Sequence, residues 1–289
     1  MAVYERNYKR YDGPTTPTST RFLVLPRYIF KDVFQSRWLL IFYVLCFVFP
    51  LICAVFIYLT HNADFLKAIP NFQMPDFLQI DNGFFKRFLS IQGTLVFALT
   101  IFIGPGLVSR DLANNGLSLY LSRPFSRVEY VLGKLSVLAI LLSALTWVAG
   151  LLLMLLHANF VGLAWFGDNF GLAAGFFVGS WLWILALGFL ALAASAWVKW
   201  RAVAGFAMLA VVLGGAFFGS VLINNLFDTN LGHMLNLLVL IDRLWSGLLG
   251  ITGPSVVLPA AAAWVAYLAF LGACGFMLHR KIRAYEVVG

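Results

Sequence analysis

Residues 235–251 read LNLLVLIDRLWSGLLGI, and the number of membrane crossings in this chain turns on them. The stretch is apolar at both ends, but Asp242 and Arg243 stand at its centre. Each would cost roughly 2.5–3.5 kcal/mol at the midplane of a bilayer. Pairing them would reduce that cost without removing it. The stretch is also shorter than the ~20 apolar residues a spanning helix needs. It therefore reads as a re-entrant or interfacial helical segment. Around it lie longer runs with no Asp, Glu, Lys or Arg: 38–60, 88–108, 135–156, 172–198, 202–223 and 258–278. At about 1.5 Å per residue each covers about 30 Å, enough to cross. The expected fold is all-α and integral to the membrane, with six transmembrane helices. Composition agrees: of 289 residues 62% are hydrophobic and 11% charged, against about 25% charged in soluble domains. A mean hydropathy of +0.89 excludes a soluble enzyme, a disordered chain and a disulfide scaffold. Cys46, Cys53 and Cys274 lie inside apolar runs and read as packing residues.

Charge sets the expected orientation. The net charge is +8; in a soluble protein this would suggest nucleic acid, but here the question is which side of the bilayer the cations occupy. With six spans, all 20 Lys and Arg except Lys67, Lys86, Arg87 and Arg243 fall on one side. Basic residues are retained in the cytoplasm, so both termini are expected inside (N-in, C-in). A seventh span would place Arg280, Lys281 and Arg283 outside. Residues 1–22, with a Pro/Thr/Ser-rich stretch at 13–20, read as a flexible cytoplasmic tail, and no cleavable signal peptide is expected in the polar, basic first 36 residues. Residues 23–37 read as an interfacial amphipathic helix: Ile29, Phe30, Val33 and Phe34 recur at helical spacing opposite Arg27, Lys31 and Gln35. Residues 38–289 form the six-span domain, its third helix drawn over 131–156.

The residues that are missing narrow the function. No run of the six carries a charge, which argues against proton-driven transport and voltage sensing. Gly133-Lys134 is followed by Leu135 and lacks the earlier glycine of a phosphate-cradling loop. If the chain drives transport, its energy comes from another subunit. His61, His157, His233 and His279 are scattered, and none lies in an HExxH motif. There is no GxSxG elbow, so a catalytic role is not expected. Trp181, Trp183 and Trp197 could line a path, although Trp197 and Trp200 also fit an interfacial aromatic belt. Gly205, Gly214, Gly215 and Gly219 permit close helix approach, either between two copies or inside one bundle.

The connection between the second and third spans carries the sharpest pattern: SRDLANNGLSLYLSRPFSRVEYVLGK, residues 109–134. Ser126-x-x-Glu129 is a capping box that starts the third helix near Arg127. Pro124 separates it from what precedes, and Gly104-Pro105-Gly106 breaks the end of the second span. Residues 111–121 could form a short helix parallel to the membrane, weakened by Asn114, Asn115 and Gly116. Such an element suits a docking surface or an ordinary positively charged connection.

This stretch resembles the signature region of the ABC-2 type permease family, the membrane subunits of ABC exporters. The matching positions are Asp111, Gly116, the aliphatic run Leu117 to Leu121, Ser122-Arg123-Pro124, Phe125, Ser126-Arg127 and Gly133-Lys134. The resemblance implies a non-catalytic permease of the bacterial inner membrane, paired with an identical or related second copy. A cytoplasmic ABC ATPase, holding ATP and Mg²⁺, would bind each copy. Asp111, Asn115, Gly116, Leu117, Leu119 and Leu121 would form the coupling element, flanked by Arg123, Pro124 and Arg127, with Lys199 and Arg201 as a second contact. Asp242 and Arg243 would belong to an outer gate formed by residues 224–259. The chain itself would hold no cofactor or metal and bind no nucleic acid. An apolar interior would suit a lipid-like, peptide or drug-like substrate. The competing classes are a membrane scaffold or regulatory subunit that recruits an ATPase without transport, and a passive channel.

Overall fold

The structure, a computed structural model, describes residues 24–62, 79–114, 126–227, 230–251 and 258–282. The tail 1–22 lies outside them. Six helices are long and apolar enough to cross a membrane: Arg37–Asn62, Asn82–Asp111, Arg127–Val161, Phe170–Trp197, Arg201–Phe227 and Ala260–Lys281. They are numbered here as spans 1 to 6. No strand occurs among the described residues. Alternation of direction puts Arg37, Arg110, Arg127, Arg201 and Lys281 at one end of the bundle, called here the basic end.

Span 4 is the axis. Spans 2, 3, 5 and 6 all pack on it, and the buried residues of its helix come from every face rather than from one stripe. A helix that is apolar all round belongs inside. The outer faces of spans 1, 5 and 6 instead present Leu51, Ile52, Phe206, Phe218, Val265 and Phe276 to the surroundings, as lipid-facing helices do.

Two spans are broken, and a side chain from a neighbour repairs each break. Span 1 consists of Arg37–Leu45 and Val48–Asn62 with a turn between. Pro50 has no N–H to offer the carbonyl of Cys46, four residues back. Gln92 Nε2 of span 2 donates to that carbonyl at 3.0 Å. Span 2 runs as an α-helix over Asn82–Ile103, tightens at Gly104–Gly106 and ends in the short helix Ser109–Ala113. Ser195 Oγ of span 4 accepts from Val108 N at 3.0 Å and Ser109 N at 2.8 Å, and donates to Pro105 O at 2.7 Å. Backbone groups freed by a break in a membrane helix need such partners. The close contact requires glycine at 104, where a methyl group would come within 2.6 Å of Ala191 Cβ. Trp183 of span 4 also ties to span 2, its Nε1 donating to Gly93 O at 2.9 Å. The Trp183 side chain is buried.

Span 3 starts at the capping box: Ser126 Oγ accepts from Glu129 N at 3.2 Å and Glu129 Oε2 from Ser126 N at 2.6 Å. The amphipathic helix Val24–Gln35 lies against this start. Ile29, Phe30 and Val33 turn towards the core, while Arg27, Tyr28 and Lys31 are exposed.

The segment with Asp242 and Arg243 is a helix of 12 residues, Leu237–Leu248, about 18 Å long and too short to cross. Asn236 caps it, its side chain accepting from Leu238 N and Val239 N. Leu237, Leu240, Ile241, Leu244 and Trp245 form the buried stripe, set against spans 2, 4 and 6. Of the span 5 glycines, Gly215 and Gly219 face the backbone of the following segment of the same chain, where a methyl group would stand 2.5 Å from Leu235 O or 2.2 Å from Gly232 O. For these two the close approach is internal to one bundle.

Candidate functional site

The basic end gathers groups from four elements. Asp111 sits in the helix Ser109–Ala113 that closes span 2. Tyr130 and Lys134 are four residues apart near the start of span 3 and so share one face. Both reach Asp111: Tyr130 Oη donates to Asp111 Oδ2 at 2.7 Å, and Lys134 Nζ lies 2.8 Å from the same oxygen. The ammonium also stands 5.5 Å from the centre of the Tyr130 ring. The Lys134 side chain is only 5% exposed and that of Asp111 18%. A charge so enclosed needs a partner of opposite sign and further hydrogen bonds to be tolerated, and each group supplies this for the other.

The geometry fixes the two ends of the connection at one point. Whatever path the residues between take, the chain leaves at Asp111 and returns at Tyr130 through a charged clamp. No acid–base or nucleophilic chemistry follows from this arrangement. What it does is tie the end of span 2 to the start of span 3.

Of the residues expected to couple, Asn115, Gly116, Leu117, Leu119, Leu121, Arg123 and Pro124 lie outside the described residues. Asp111 is turned inward to span 3. Arg127 is exposed at the start of that span, and Lys199 is exposed in the break between spans 4 and 5. Arg201 folds back, donating from Nη2 to Phe102 O of span 2. Arg201, Arg110, Asp111 and Lys134 line one cavity with Tyr28 and Ser36; Arg127 and Lys199 stand apart from it. Tyr130, Lys134 and Ser195 were not expected as site residues. The four-residue spacing of Tyr130 and Lys134 is the signal in the sequence that puts two of them on one face.

At the opposite end Asp242 and Arg243 do not pair with each other. Lys86 Nζ lies 2.9 Å from Asp242 Oδ1, and Arg243 Nε donates to Leu258 O at 2.8 Å. The short helix is thereby tied to the start of span 2 and to the approach to span 6. His61 and His157 meet there too, ring centres 5.2 Å apart. Among the described residues no three His, Cys, Asp or Glu cluster as a metal site would require.

Compared with known families, residues 30–277 match the profile described as ABC-2 family transporter protein. A comparison with curated proteins gives no match.

Proposed function

The chain belongs to the ABC-2 transporter family, and on that premise we propose that it is the permease subunit of an ATP-driven exporter. It lies in the cytoplasmic membrane of a bacterium with its basic end inside. A separate ATPase, carrying ATP and Mg²⁺, docks at that end, and a second permease copy, identical or related, completes the translocation path. The permease does no chemistry of its own. The connection 111–127 is the main contact with the ATPase, and Lys199 with Arg201 is the lesser one. Asp242 and Arg243 act at the outer gate, where their ties to Lys86 and Leu258 resist opening.

The observation that carries this reading beyond family membership is the clamp of Asp111 by Tyr130 and Lys134. A coupling element must not yield when it is pushed. An ion pair held by a hydrogen bond, shielded from water, gives it a stiff root on two spans at once. The spans themselves offer no charged residue at mid-depth with which ion gradients could be coupled.

The test is affinity purification from the native membrane in mild detergent, followed by mass spectrometry. A stoichiometric soluble protein with a Walker A motif is the expected companion. A permease recovered alone, with and without a non-hydrolysable ATP analogue, would overturn the assignment in favour of a channel. A bound ATPase whose activity never responds to any transported compound would favour a scaffold.

A further inference from the structure

Ser195 lies near the end of span 4 and Arg201 opens span 5. Between them the chain turns at the basic end, where Lys199 and Trp200 are exposed, Trp200 by 77%. Both Ser195 and Arg201 reach to span 2, and both end on the same break. Arg201 Nη2 donates to Phe102 O, just before the tightened turn Gly104–Gly106. Ser195 Oγ serves Pro105 O inside it and the N–H groups of Val108 and Ser109 beyond it. Pro105 has no N–H to offer a carbonyl four residues back. The break is thus held on both sides by two residues that flank the turn 198–200.

These contacts leave little slack. Ser195 is fully buried, and one donated and two accepted bonds use all the capacity of a hydroxyl. A methyl group on Gly205, one turn after Arg201, would stand 3.3 Å from Ile101 O and 3.6 Å from Pro105 Cγ. Beyond the break lies the helix Ser109–Ala113, where Asp111 is held by Tyr130 and Lys134 of span 3. Contact is therefore continuous from the turn 198–200, through the break in span 2, to the root of the connection 111–127.

We propose that Ser195 and Arg201 are positioning residues that join the turn 198–200 to the connection 111–127, so that the two places assigned to the ATPase respond as one unit. This rests on the docking end given under the proposed function. Arg201 serves by its grip on span 2, and the exposed Lys199 is left to meet the partner. Coupling of this kind is reciprocal, so a change at the turn is felt at the connection.

The experiment is hydrogen–deuterium exchange, read by mass spectrometry, on the full permease copurified with its ATPase. It is run with and without a non-hydrolysable ATP analogue. Lys199→Glu in the otherwise native chain should reduce the protection given by the analogue about threefold, both at the turn and at residues 126–134. In Ser195→Ala or Arg201→Gln, adding Lys199→Glu should act at the turn alone. Arg201→Lys, which keeps a donor for Phe102 O, should restore the spread to 126–134. A merely structural Ser195 would raise exchange around the break but leave that spread intact. If Ser195→Ala does not fold, the comparison of Arg201→Gln with Arg201→Lys carries the same test. An effect of Lys199→Glu confined to the turn in the native chain overturns the proposal. So does an undiminished spread in the Ser195 and Arg201 variants. An effect at neither place removes the turn from the docking surface, and the proposal with it. Recovery of a permease without an ATPase refutes the docking reading instead. The tie is then judged on the permease alone, where Ser195→Ala should speed exchange at Val108 and Ser109 about fivefold and raise it at 126–134 as well. Faster exchange at the break alone would overturn it there too.

Discussion

Lys134 follows Tyr130 by one helical turn, and both end on a single carboxylate of the preceding span. Removing one charge of an enclosed pair strands the other, which costs about 3 kcal/mol or more. Lys134→Met should accordingly lower the thermal stability of the purified protein, and Asp111→Leu should do the same. The double variant should recover most of the loss, because a well-packed apolar pair avoids the desolvation altogether. If the clamp transmits force, the double variant should remain stable while its ATPase loses stimulation by substrate. Full stability in Lys134→Met, measured by thermal unfolding in detergent, would remove the clamp from the account. The capping box at Ser126 and Glu129 was legible in the sequence because its parts are three residues apart and the geometry is local. The partner of Asp111 was not. It lies across a connection whose path local rules do not set, and the Gly133-Lys134 pair drew attention only as a motif.

At the scale of elements, the apolar runs predicted all six spans, since exclusion of charge from hydrocarbon acts on each residue separately. The short helix Leu237–Leu248 was legible as a non-crossing segment for the same reason. What the sequence did not reveal was how the breaks are mended. Pro50 marks a break openly, but nothing nearby identifies Gln92 as the residue that serves Cys46. Gln92 is fully buried, and its Oε1 has no partner among the described residues. Gln92→Leu should destabilise the protein by about 2 kcal/mol, the cost of an unsatisfied carbonyl in an apolar setting. Pro50→Ala restores the N–H that Cys46 lacks, so in the Gln92→Leu background it should win back much of the loss. Additive losses in the double variant, read from unfolding midpoints, would mean that the two residues act separately.

For the whole molecule, sidedness is the property from which function follows. Cys46, Cys53 and Cys274 are all buried, so the protein offers a quiet background for thiol labelling. Lys199 is exposed at the basic end and Leu163 is 75% exposed at the other. In intact cells a membrane-impermeant maleimide should modify Leu163→Cys and leave Lys199→Cys untouched until the cells are opened. The reverse pattern would invert the orientation and put the clamp on the outside.

Three side chains hold span 2, two from span 4 and one, Arg201, from the start of span 5, and in each case the bond is to backbone. Ser195 serves Pro105, Val108 and Ser109; Trp183 serves Gly93; Arg201 serves Phe102. Trp245 of the short helix then anchors to Gly179 of span 4 itself at 2.9 Å. Between the halves that carry these groups, the chain passes through Gly162, at φ +120° with nothing within 4 Å of where a side chain would begin. A cut at that point would leave all of these cross-chain bonds in place. Produced as two separate polypeptides divided after Gly162, the protein should reassemble in the membrane and copurify from it. A gene cut in two at that codon would then still complement a strain lacking the whole.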